Sequence, residues 1–307
     1  MVGRFAPSPT GRMHLGNVWT ALLCWLMVRK QNGTLLLRME DIDKPRCKPE
    51  YAAQLMADLQ LLGLDWDKEP VWQSTRVEFY EQALQTLNSK GLLYGCSCTR
   101  AQLQAGSGYV TEASAPHAGD GQPMYRGICR NKGLTGDTTK HPLALRLQVP
   151  NETRAFDDVL LGRQVLNLAA QWGDFVVQRR DGLFAYQLAC ALDDAAMGVT
   201  LIVRGRDLAA STFPQMYIQS LLYPEQARAK YAHVPLLVDE EGIRLSKRQL
   251  SLDVGVLLQT RTPQEIVGLL GYWAGLLDRV EAVMPGELLE VFDVDHLARA
   301  DVVVGSV

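Results

Sequence analysis

The amino-terminal segment constrains the fold more than any other part of the chain. An apolar run over Val2–Phe5 is followed by a turn with two prolines and Gly11, and then by a helical run over residues 15–30 that is rich in Leu, Trp, Met and Ala. Proline lacks the N–H that a strand interior needs, so the strand ends before the helix begins. The order strand, tight turn, helix is typical of an α/β protein with a parallel sheet.

The turn also has features of a phosphate-binding site. Backbone N–H groups at the head of a helix lack intrahelical partners and the helix dipole is positive there, which favours an anion. His14 and Asn17 add side-chain donors at the same place. The simpler alternative is a proline-rich turn that leads into a core helix and carries a surface histidine. Neither a Walker loop nor the three-glycine dinucleotide fingerprint is present here.

Length and composition set outer limits. A chain of 307 residues with 47% hydrophobic content can bury one large core and a smaller one. No apolar run has the length of a membrane span and no signal-peptide pattern follows Met1, so we expect a cytoplasmic protein without membrane contact. The formal charge of -3 neither favours nor excludes a nucleic-acid partner, because a basic patch can lie on an acidic average.

Charged side chains follow two of the predicted strands. Glu40 comes after the strand Thr34–Met39, and Arg204 comes after a β-branched strand at residues 200–203. In open parallel sheets, ligands bind at the carboxyl ends of the strands. A carboxylate accepts hydrogen bonds from a substrate ammonium, and an arginine forms a bidentate pair with a carboxylate. Together they suit an amino acid that bears an extra carboxylate.

Tyr186 lies in the first turn of a predicted helix over residues 186–196. If the head of that helix faces the proline-rich turn, the phenol can hydrogen-bond a ligand while the ring closes the pocket. A tyrosine in an apolar helix is, on its own, more often a core residue.

A second cationic segment lies far along the chain. A predicted strand at residues 234–238 is followed by a glycine-containing loop with Arg244, Lys247 and Arg248. Such a loop is commonly a solvated face. Placed opposite the proline-rich turn, it becomes a clamp for a triphosphate, with Lys247 as its point charge.

Three of the six cysteines have a spacing typical of a metal site. Cys96 and Cys98 are one residue apart, and Cys129 follows after a loop rich in Gly, Ser, Ala and Pro. One tetrahedral ion can gather three thiols and one further ligand. The candidates for that ligand are Tyr125, His117, His141 and water, and a phenol needs the ion to lower its pKa. The alternative is a set of reduced, half-buried cysteines without metal.

The remaining three cysteines carry no predicted chemistry. Cys24 and Cys190 lie in apolar helical runs and are expected to pack in the core. Cys47 follows Arg46 in a polar loop and is expected to be an exposed thiol.

With both cationic segments in view, the chain resembles the glutamyl group of the class I aminoacyl-tRNA synthetases. Pro-Ser-Pro-Thr-Gly with His14-Leu-Gly-Asn is similar to the first signature of that family, and Arg244-Leu-Ser-Lys-Arg to the second. Segments at residues 38–43, 181–186 and 202–205 are also similar in kind and order. Asn17 stands where many members have a second histidine, and Arg-Leu stands for Lys-Met in the second signature.

The resemblance implies an α/β fold: a Rossmann-type doubly wound parallel sheet, an inserted zinc-binding subdomain of the acceptor-binding type, and a short helical carboxyl-terminal region. We expect the catalytic core at residues 1–92 and 173–235, the insertion at residues 93–172, and the lysine loop with the carboxyl-terminal region at residues 236–307. Only 60 residues follow Lys247 (307 minus 247), which is too few for a large anticodon-binding region. This outline is similar to the glutamyl-Q tRNA(Asp) synthetases, a truncated branch of the group.

The implied activity is ATP-dependent conversion of L-glutamate to glutamyl-adenylate, followed by transfer of glutamate to the queuosine base of tRNA(Asp) instead of a tRNA 3′ end. Mg²⁺ is expected with ATP, and the chain is expected to be a monomer. Three alternatives stay open: a minimal enzyme that charges tRNA(Glu), a nucleotidylyl transferase of the same superfamily, and a catalytically silent RNA-binding paralogue.

The resemblance also assigns residues to roles, with His14 and Lys247 as the catalytic pair. The expected glutamate-binding residues are Arg4, Phe5, Ala6, Pro7, Ser8, Glu40, Tyr186 and Arg204. The expected ATP-binding residues are His14, Gly16, Asn17, Arg244, Leu245, Ser246, Lys247 and Arg248. The expected ligands of one structural zinc ion are Cys96, Cys98, Tyr125 and Cys129.

Overall fold

The computed structural model describes residues 1–105, 124–134, 142–245 and 253–304. The strands in these ranges are β1 (Val2–Phe5), β2 (Thr34–Met39), β3 (Val71–Trp72), β4 (Leu93–Cys96), β5 (Ala144–Leu147), β6 (Thr153–Asp158), β7 (Gly162–Asn167), β8 (Phe175–Gln178), β9 (Leu201–Gly205), β10 (Lys230–Val234), β11 (Leu237–Val238) and β12 (Val302–Val303). The α-helices are α1 (Leu15–Arg29), α2 (Pro49–Leu61), α3 (Val77–Ser89), α4 (Arg100–Ala105), α5 (Tyr186–Ala196), α6 (Thr212–Leu222), α7 (Val254–Leu257), α8 (Pro263–Trp273) and α9 (Pro285–Val291).

The main sheet has seven strands in the order β3-β2-β1-β9-β10-β6-β7. All neighbouring pairs are parallel except β6 and β7, which form an antiparallel hairpin. The chain winds from β1 outward to β2 and β3 on one side and later to β9 and β10 on the other, so a switch point lies beside β1. The predicted doubly wound α/β fold is confirmed, and ligands are expected at the carboxyl ends of β1, β2 and β9.

Helix α1 is a core helix. Eleven of its fifteen residues are buried, including Leu22, Leu23 and Leu26. Its Trp19 donates from Nε1 to the carbonyl oxygen of Pro235 over 2.8 Å. Burial of each leucine side chain contributes about 2 kcal/mol relative to exposure. The packing of α1 therefore fixes the position of its head, where the proline-rich turn joins it.

A smaller antiparallel sheet has the order β4-β5-β8. The sequence analysis places β8 with the returning core, whereas the structure pairs it with β5. It places the β6–β7 hairpin with the insertion, whereas that hairpin extends the main sheet beside β10. The domain boundaries themselves stay a prediction.

One predicted element differs from the structure. The strand expected at residues 234–238 is divided between β10 and β11, because Pro235 has no N–H to donate to a ladder. A 3₁₀ turn at Arg206–Ser211 precedes α6, and another at Val294–His296 follows α9. In the part of the chain that the structure describes, no helix has the length and apolar character needed to cross a bilayer.

Candidate active site

Seven buried or half-buried side chains meet where β1, β2 and β9 end and α5 packs against them. We call this group the buried polar cluster; it consists of Arg4, Arg38, Glu40, Tyr186, Cys190, Asp194 and Arg204. Arg4, Arg38 and Arg204 lie on the three strands, Glu40 directly follows β2, and the other three lie on α5. The sequence analysis predicted four of the seven.

Ion pairs hold one half of the cluster together. Oδ1 of Asp194 accepts a hydrogen bond from Nε of Arg4 at 3.0 Å and another from Nη1 of Arg38 at 2.6 Å. Nη2 of Arg38 donates to Oε1 of Glu40 at 3.1 Å. Burial acts to raise the pKa of the Asp194 carboxyl, but the two guanidinium groups outweigh it and leave the pKa below its usual value. Asp194 is therefore ionised and anchors both arginines.

Glu40 receives a second hydrogen bond at the same oxygen. The thiol of Cys190 donates to Oε1 of Glu40 at 3.0 Å. Both donors to this carboxylate among the described residues reach Oε1, so Oε2 is the oxygen that can accept from a substrate ammonium. The sequence analysis assigned Cys190 to core packing, which is wrong in part: the thiol is buried, but it contacts a predicted substrate ligand.

Arg204 differs from the other two arginines because all of its partners are neutral. The side chain is 4% exposed. Its guanidinium donates to Nε2 of His233 at 3.1 Å, to Oγ1 of Thr212 at 2.7 Å, to Oε1 of Gln215 at 2.8 Å and to the Tyr186 hydroxyl at 3.4 Å. Within the described ranges, no carboxylate pairs with it. A buried cation is stable only where it meets an anion or a nearly full set of hydrogen bonds, and Arg204 has the hydrogen bonds without the anion.

The remaining predicted glutamate residues are Tyr186 and residues 5–8 at the end of β1 and in the proline-rich turn. Burial raises the pKa of the Tyr186 phenol well above its usual value, so the hydroxyl stays protonated. The backbone N–H of Glu40 donates to the carbonyl oxygen of Pro7 at 2.9 Å, which ties the proline-rich turn to the end of β2. Phe5 is buried within the core beside this turn. Ala6 and Ser8 are partly exposed on either side of Pro7.

The head of α1 is closed by a capping box. Nδ1 of His14 accepts from the N–H of Gly16 at 3.1 Å, and the side-chain oxygen of Asn17 accepts from the N–H of His14 at 3.2 Å. The neutral imidazole then carries its proton on Nε2. The predicted donor role is therefore limited to Nε2 of His14 and the amide nitrogen of Asn17, because the other polar atoms of these side chains belong to the cap.

Both flanks of the predicted lysine loop lie beside this helix head. Leu245 is buried and donates from its N–H to the carbonyl oxygen of Leu237 at 3.0 Å, and its own oxygen would lie 4.0 Å from a Cβ at Gly16. On the other side, Asp253 forms a β-bridge with His14. The residues that flank positions 246–252 thus meet at the turn that the sequence selected as the phosphate site.

The cationic members of the lysine loop are only partly described. Ser246, Lys247 and Arg248 lie outside the described residues. Arg244 is exposed and forms an ion pair with Asp207, which follows β9. To contact ATP as predicted, Arg244 would have to leave its ion pair with the Asp207 carboxylate.

The cysteine cluster, defined as Cys96, Cys98, Cys129 and Tyr125, lies beside the smaller sheet. The three sulfur atoms lie within 4.8 Å of one another. The Tyr125 hydroxyl oxygen is 3.6 Å from Sγ of Cys96 and 4.0 Å from Sγ of Cys98. Three thiols and one phenol oxygen around a common point match a tetrahedral metal site. His117 and His141, the alternative ligands, lie outside the described residues.

The acid–base properties of the cluster fit a cation. Burial acts to raise the pKa of the Cys129 thiol, but hydrogen bonds from Tyr125, Ser97 and Cys98 lower it to about 6. Burial and the hydrogen bond with Cys129 raise the pKa of Cys98 to about 11, and burial raises that of Tyr125. A bound divalent cation would supply the positive charge that deprotonates the other ligands.

Tyr125 is held on both sides. The guanidinium of Arg146 lies 3.8 Å from the centre of its ring and donates from Nη1 to the carbonyl oxygen of Asp174 at 2.8 Å. Gly173 has φ +77°, and a Cβ there would lie 2.3 Å from the Tyr125 carbonyl oxygen. The phenol is therefore positioned before any ion binds.

The comparisons with known proteins agree with this geometry. The model of the family "tRNA synthetases class I (E and Q), catalytic domain" matches residues 1–264. A protein of Nitratidesulfovibrio vulgaris named glutamyl-Q tRNA(Asp) synthetase is 45% identical over 288 residues, which cover 90% of this chain and 86% of that protein. A protein of the same name from Symbiobacterium thermophilum is 43% identical over 320 residues, covering 98% and 95%.

The chain belongs to the glutamyl-Q tRNA(Asp) synthetase family. The glutamate-tRNA synthetase of Elizabethkingia anophelis shares the fold of this family member, with a TM-score of 0.79 at 23% identity over 99% of this chain and 68% of the other. The predicted resemblance to the glutamyl-Q tRNA(Asp) synthetases is confirmed.

Besides Cys190, three residues of this family member's site were missed in the sequence, and one cysteine was misplaced. Arg38 lies on β2 two positions before Glu40, and this spacing places both side chains on the same face of the sheet. Asp194 and His233 gave no local signal, because their partners lie far away in sequence. Cys47 was expected to be exposed; instead it is buried, and its thiol donates to the Glu40 carbonyl oxygen at 3.6 Å.

Proposed function

We propose that the chain activates L-glutamate with ATP and transfers it to the queuosine base of tRNA(Asp). The observation that carries this proposal is the buried Arg204 guanidinium, whose described partners are all neutral, on the same cluster as the Glu40 carboxylate. A cation selects for the side-chain carboxylate of glutamate, and an anion binds the ammonium that every amino acid carries. The names of the relatives supply the acceptor.

Glutamate binding follows from the orientation of the cluster. Arg204 takes the side-chain carboxylate, and the long 3.4 Å contact with the Tyr186 hydroxyl is the one that a stronger charged acceptor replaces. Oε2 of Glu40 takes the ammonium. Arg4 and Arg38 are already paired with Asp194, so they keep Glu40 in place and leave the substrate carboxylate to Arg204.

In the first step, a carboxylate oxygen of glutamate attacks the α-phosphorus of ATP. A new C–O–P bond forms, the bond to the bridging oxygen breaks, and pyrophosphate leaves with the negative charge. Nε2–H of His14 and the N–H groups at the head of α1 donate to the phosphates in this proposal, and Lys247 is the cation that the sequence predicts there. Donors oriented at developing charge stabilise the transition state more than the ground state. Mg²⁺ bound with ATP supplies further positive charge on the phosphates.

The cysteine cluster is proposed to hold one structural zinc ion through Cys96, Cys98, Tyr125 and Cys129. The distances among the four groups support a tetrahedral site. The site lies in the region of the smaller sheet, and none of its ligands belongs to the buried polar cluster. We therefore assign it a role in the stability of that region and not in glutamate activation.

Labelled glutamate tests the acceptor. The purified protein is incubated with ATP, radiolabelled glutamate and separated tRNAs, with and without queuosine. We expect label on tRNA(Asp) that contains queuosine and on no other tRNA. Label at the 3′ end of tRNA(Glu) would show the minimal charging enzyme instead, and absence of any glutamate-dependent ATP–pyrophosphate exchange would show the silent RNA-binding paralogue. The monomeric state and cytoplasmic location stay predictions.

A further inference from the structure

We propose that His233 is a positioning residue that orients the Arg204 guanidinium without neutralising its charge. This inference rests on the proposed role of Arg204 in binding the glutamate side chain. His233 lies on β10, the strand next to β9, and the two residues are direct neighbours in the parallel register. Both are buried, at 0% and 4% exposure.

The hydrogen bonds assign the tautomer of His233. Nδ1 lies 2.6 Å from Oδ2 of Asp158, and Nε2 lies 3.1 Å from Nε of Arg204. Nε of a guanidinium only donates, so Nε2 of the imidazole must be the acceptor and the proton must be on Nδ1. Nδ1–H then donates to the Asp158 carboxylate. The imidazole is neutral and is fixed from both sides.

Asp158 is itself held by the backbone. Its Oδ1 accepts from the N–H groups of Leu160 and Leu161 at 2.9 Å each, and the N–H of His233 lies 3.2 Å from both of its oxygens. Asp158 ends β6, so the hairpin of β6 and β7 fixes the carboxylate that fixes the imidazole. The chain Asp158–His233–Arg204 thus links a rigid turn to the substrate-binding arginine.

A neutral acceptor is the arrangement that leaves Arg204 able to bind an anion. A carboxylate in the place of His233 would orient the guanidinium equally well, but it would compensate the charge and weaken binding of a second carboxylate. Asp194 plays that role for Arg4 and Arg38, which are structural. Thr212 and Gln215, the other well-placed acceptors, are neutral as well. The charge of the partners therefore distinguishes Arg204, the proposed binding arginine, from Arg4 and Arg38, which are structural.

Two substitutions test the two hydrogen bonds of the His233 imidazole separately. The amide of asparagine occupies the place of Nδ1 and can still donate to Asp158, but it does not reach Arg204. The amide of glutamine reaches the place of Nε2, where its oxygen can accept from Arg204. We expect His233→Asn to raise KM for glutamate in ATP–pyrophosphate exchange by about tenfold, the effect of one charge-assisted hydrogen bond. We expect His233→Gln to raise it by less than about threefold, with kcat and KM for ATP near wild type for both.

The control is His296→Asn, at an exposed histidine of the carboxyl-terminal region. An unchanged KM for ATP in each variant shows that the protein is folded. If the wild-type protein shows no glutamate-dependent exchange, the proposed function fails and not this inference alone. The positioning role is overturned if the wild-type protein is active and His233→Asn keeps the wild-type KM for glutamate. It is also overturned if His233→Asn and His233→Gln both show a lower kcat together with higher KM values for glutamate and ATP.

Discussion

The buried polar cluster and the cysteine cluster are both built from ionisable side chains, yet they hold charge in different ways. In the buried polar cluster, guanidinium and carboxylate groups stabilise one another, as the lowered pKa of Asp194 shows. In the cysteine cluster, no described cation pairs with a sulfur atom or with the phenol oxygen, since the guanidinium of Arg146 lies over the Tyr125 ring, and the pKa of Cys98 is raised to about 11. The first cluster therefore balances its charges with its own side chains, whereas the proposed zinc ion would supply the positive charge of the second.

The two clusters are also held in place by different parts of the protein. The polar cluster is assembled by strands and a helix that the hydrophobic core already fixes, with α1 and the main sheet at its base. The cysteine cluster lies beside a short three-stranded sheet and forms a small core of its own. Predictions that separate glutamate binding from metal binding test this contrast.

The largest expected effect belongs to Arg204. Replacement by alanine removes a charge-assisted bidentate pair, so KM for glutamate should rise by about a hundredfold while KM for ATP stays within about threefold. Steady-state ATP–pyrophosphate exchange measures both constants, with Arg163→Ala, at an exposed arginine paired with Asp157, as the matched control. Equal increases in both KM values would contradict the assignment to the side-chain carboxylate.

The free energy of unfolding should depend on pH through His233. Burial is the main cause that lowers the pKa of this imidazole, from 6.5 to about 4, against the opposing hydrogen bond to Asp158. Between pH 6.5 and 4 the unfolded state binds a proton that the folded state does not, so stability falls as the pH decreases, by up to about 3 kcal/mol from this group. Urea unfolding at pH 7 and pH 4.5 measures the loss. The loss should be smaller in His233→Gln, and an identical pH dependence in the two proteins would rule out this origin.

Lys247→Ala should affect the reaction and not the binding of glutamate. We expect the exchange rate at saturating glutamate to fall about tenfold or more, because one cation at the departing pyrophosphate is lost. KM for glutamate should stay within about twofold, since the proposed glutamate site is the buried polar cluster. An unchanged exchange rate would remove the lysine from the mechanism.

A smaller effect is expected at Cys190. Cys190→Ala removes the thiol donor to Oε1 of Glu40, while Arg38 still donates to the same oxygen. One neutral hydrogen bond of this kind should raise KM for glutamate about threefold. The matched control is Cys190→Ser, which keeps a donor and should show less of the effect. If alanine and serine variants behave alike, the thiol acts only through packing.

The smallest effect on glutamate activation is expected for the cysteine cluster. Cys98→Ser should lose the bound zinc, which elemental analysis of the purified protein measures, and should lower the thermal stability. KM for glutamate should stay within about twofold. The control for zinc content alone is Cys47→Ser, whose thiol lies outside the cluster but donates to the Glu40 carbonyl oxygen. Zinc retained at the wild-type level, or a large change in KM for glutamate, would break the separation of the two clusters.

Much of the fold was predictable because its signals are local. The apolar periodicity of α1, the prolines before it and the apolar strands identify a parallel α/β sheet. The same local order predicts Glu40 and Arg204 at strand ends, and the cysteine spacing predicts the metal site. Pro235 is a local signal that was overlooked. Because it has no N–H to donate to the ladder, β10 ends at Val234.

The sequence by itself determined the type of fold, the strand-end positions of two opposite charges and the set of candidate metal ligands, because periodicity and spacing express local geometry. Only the tertiary structure decided which arginine keeps a charge that no carboxylate compensates. Arg4, Arg38 and Arg204 all lie on strands of the same sheet. Asp194 of α5 pairs with the first two, whereas β10 and α6 bring neutral partners to the third. Such partners come from segments that are distant in sequence. The charge that remains on a side chain after pairing depends on its distances to those partners, and no single stretch of sequence specifies these distances.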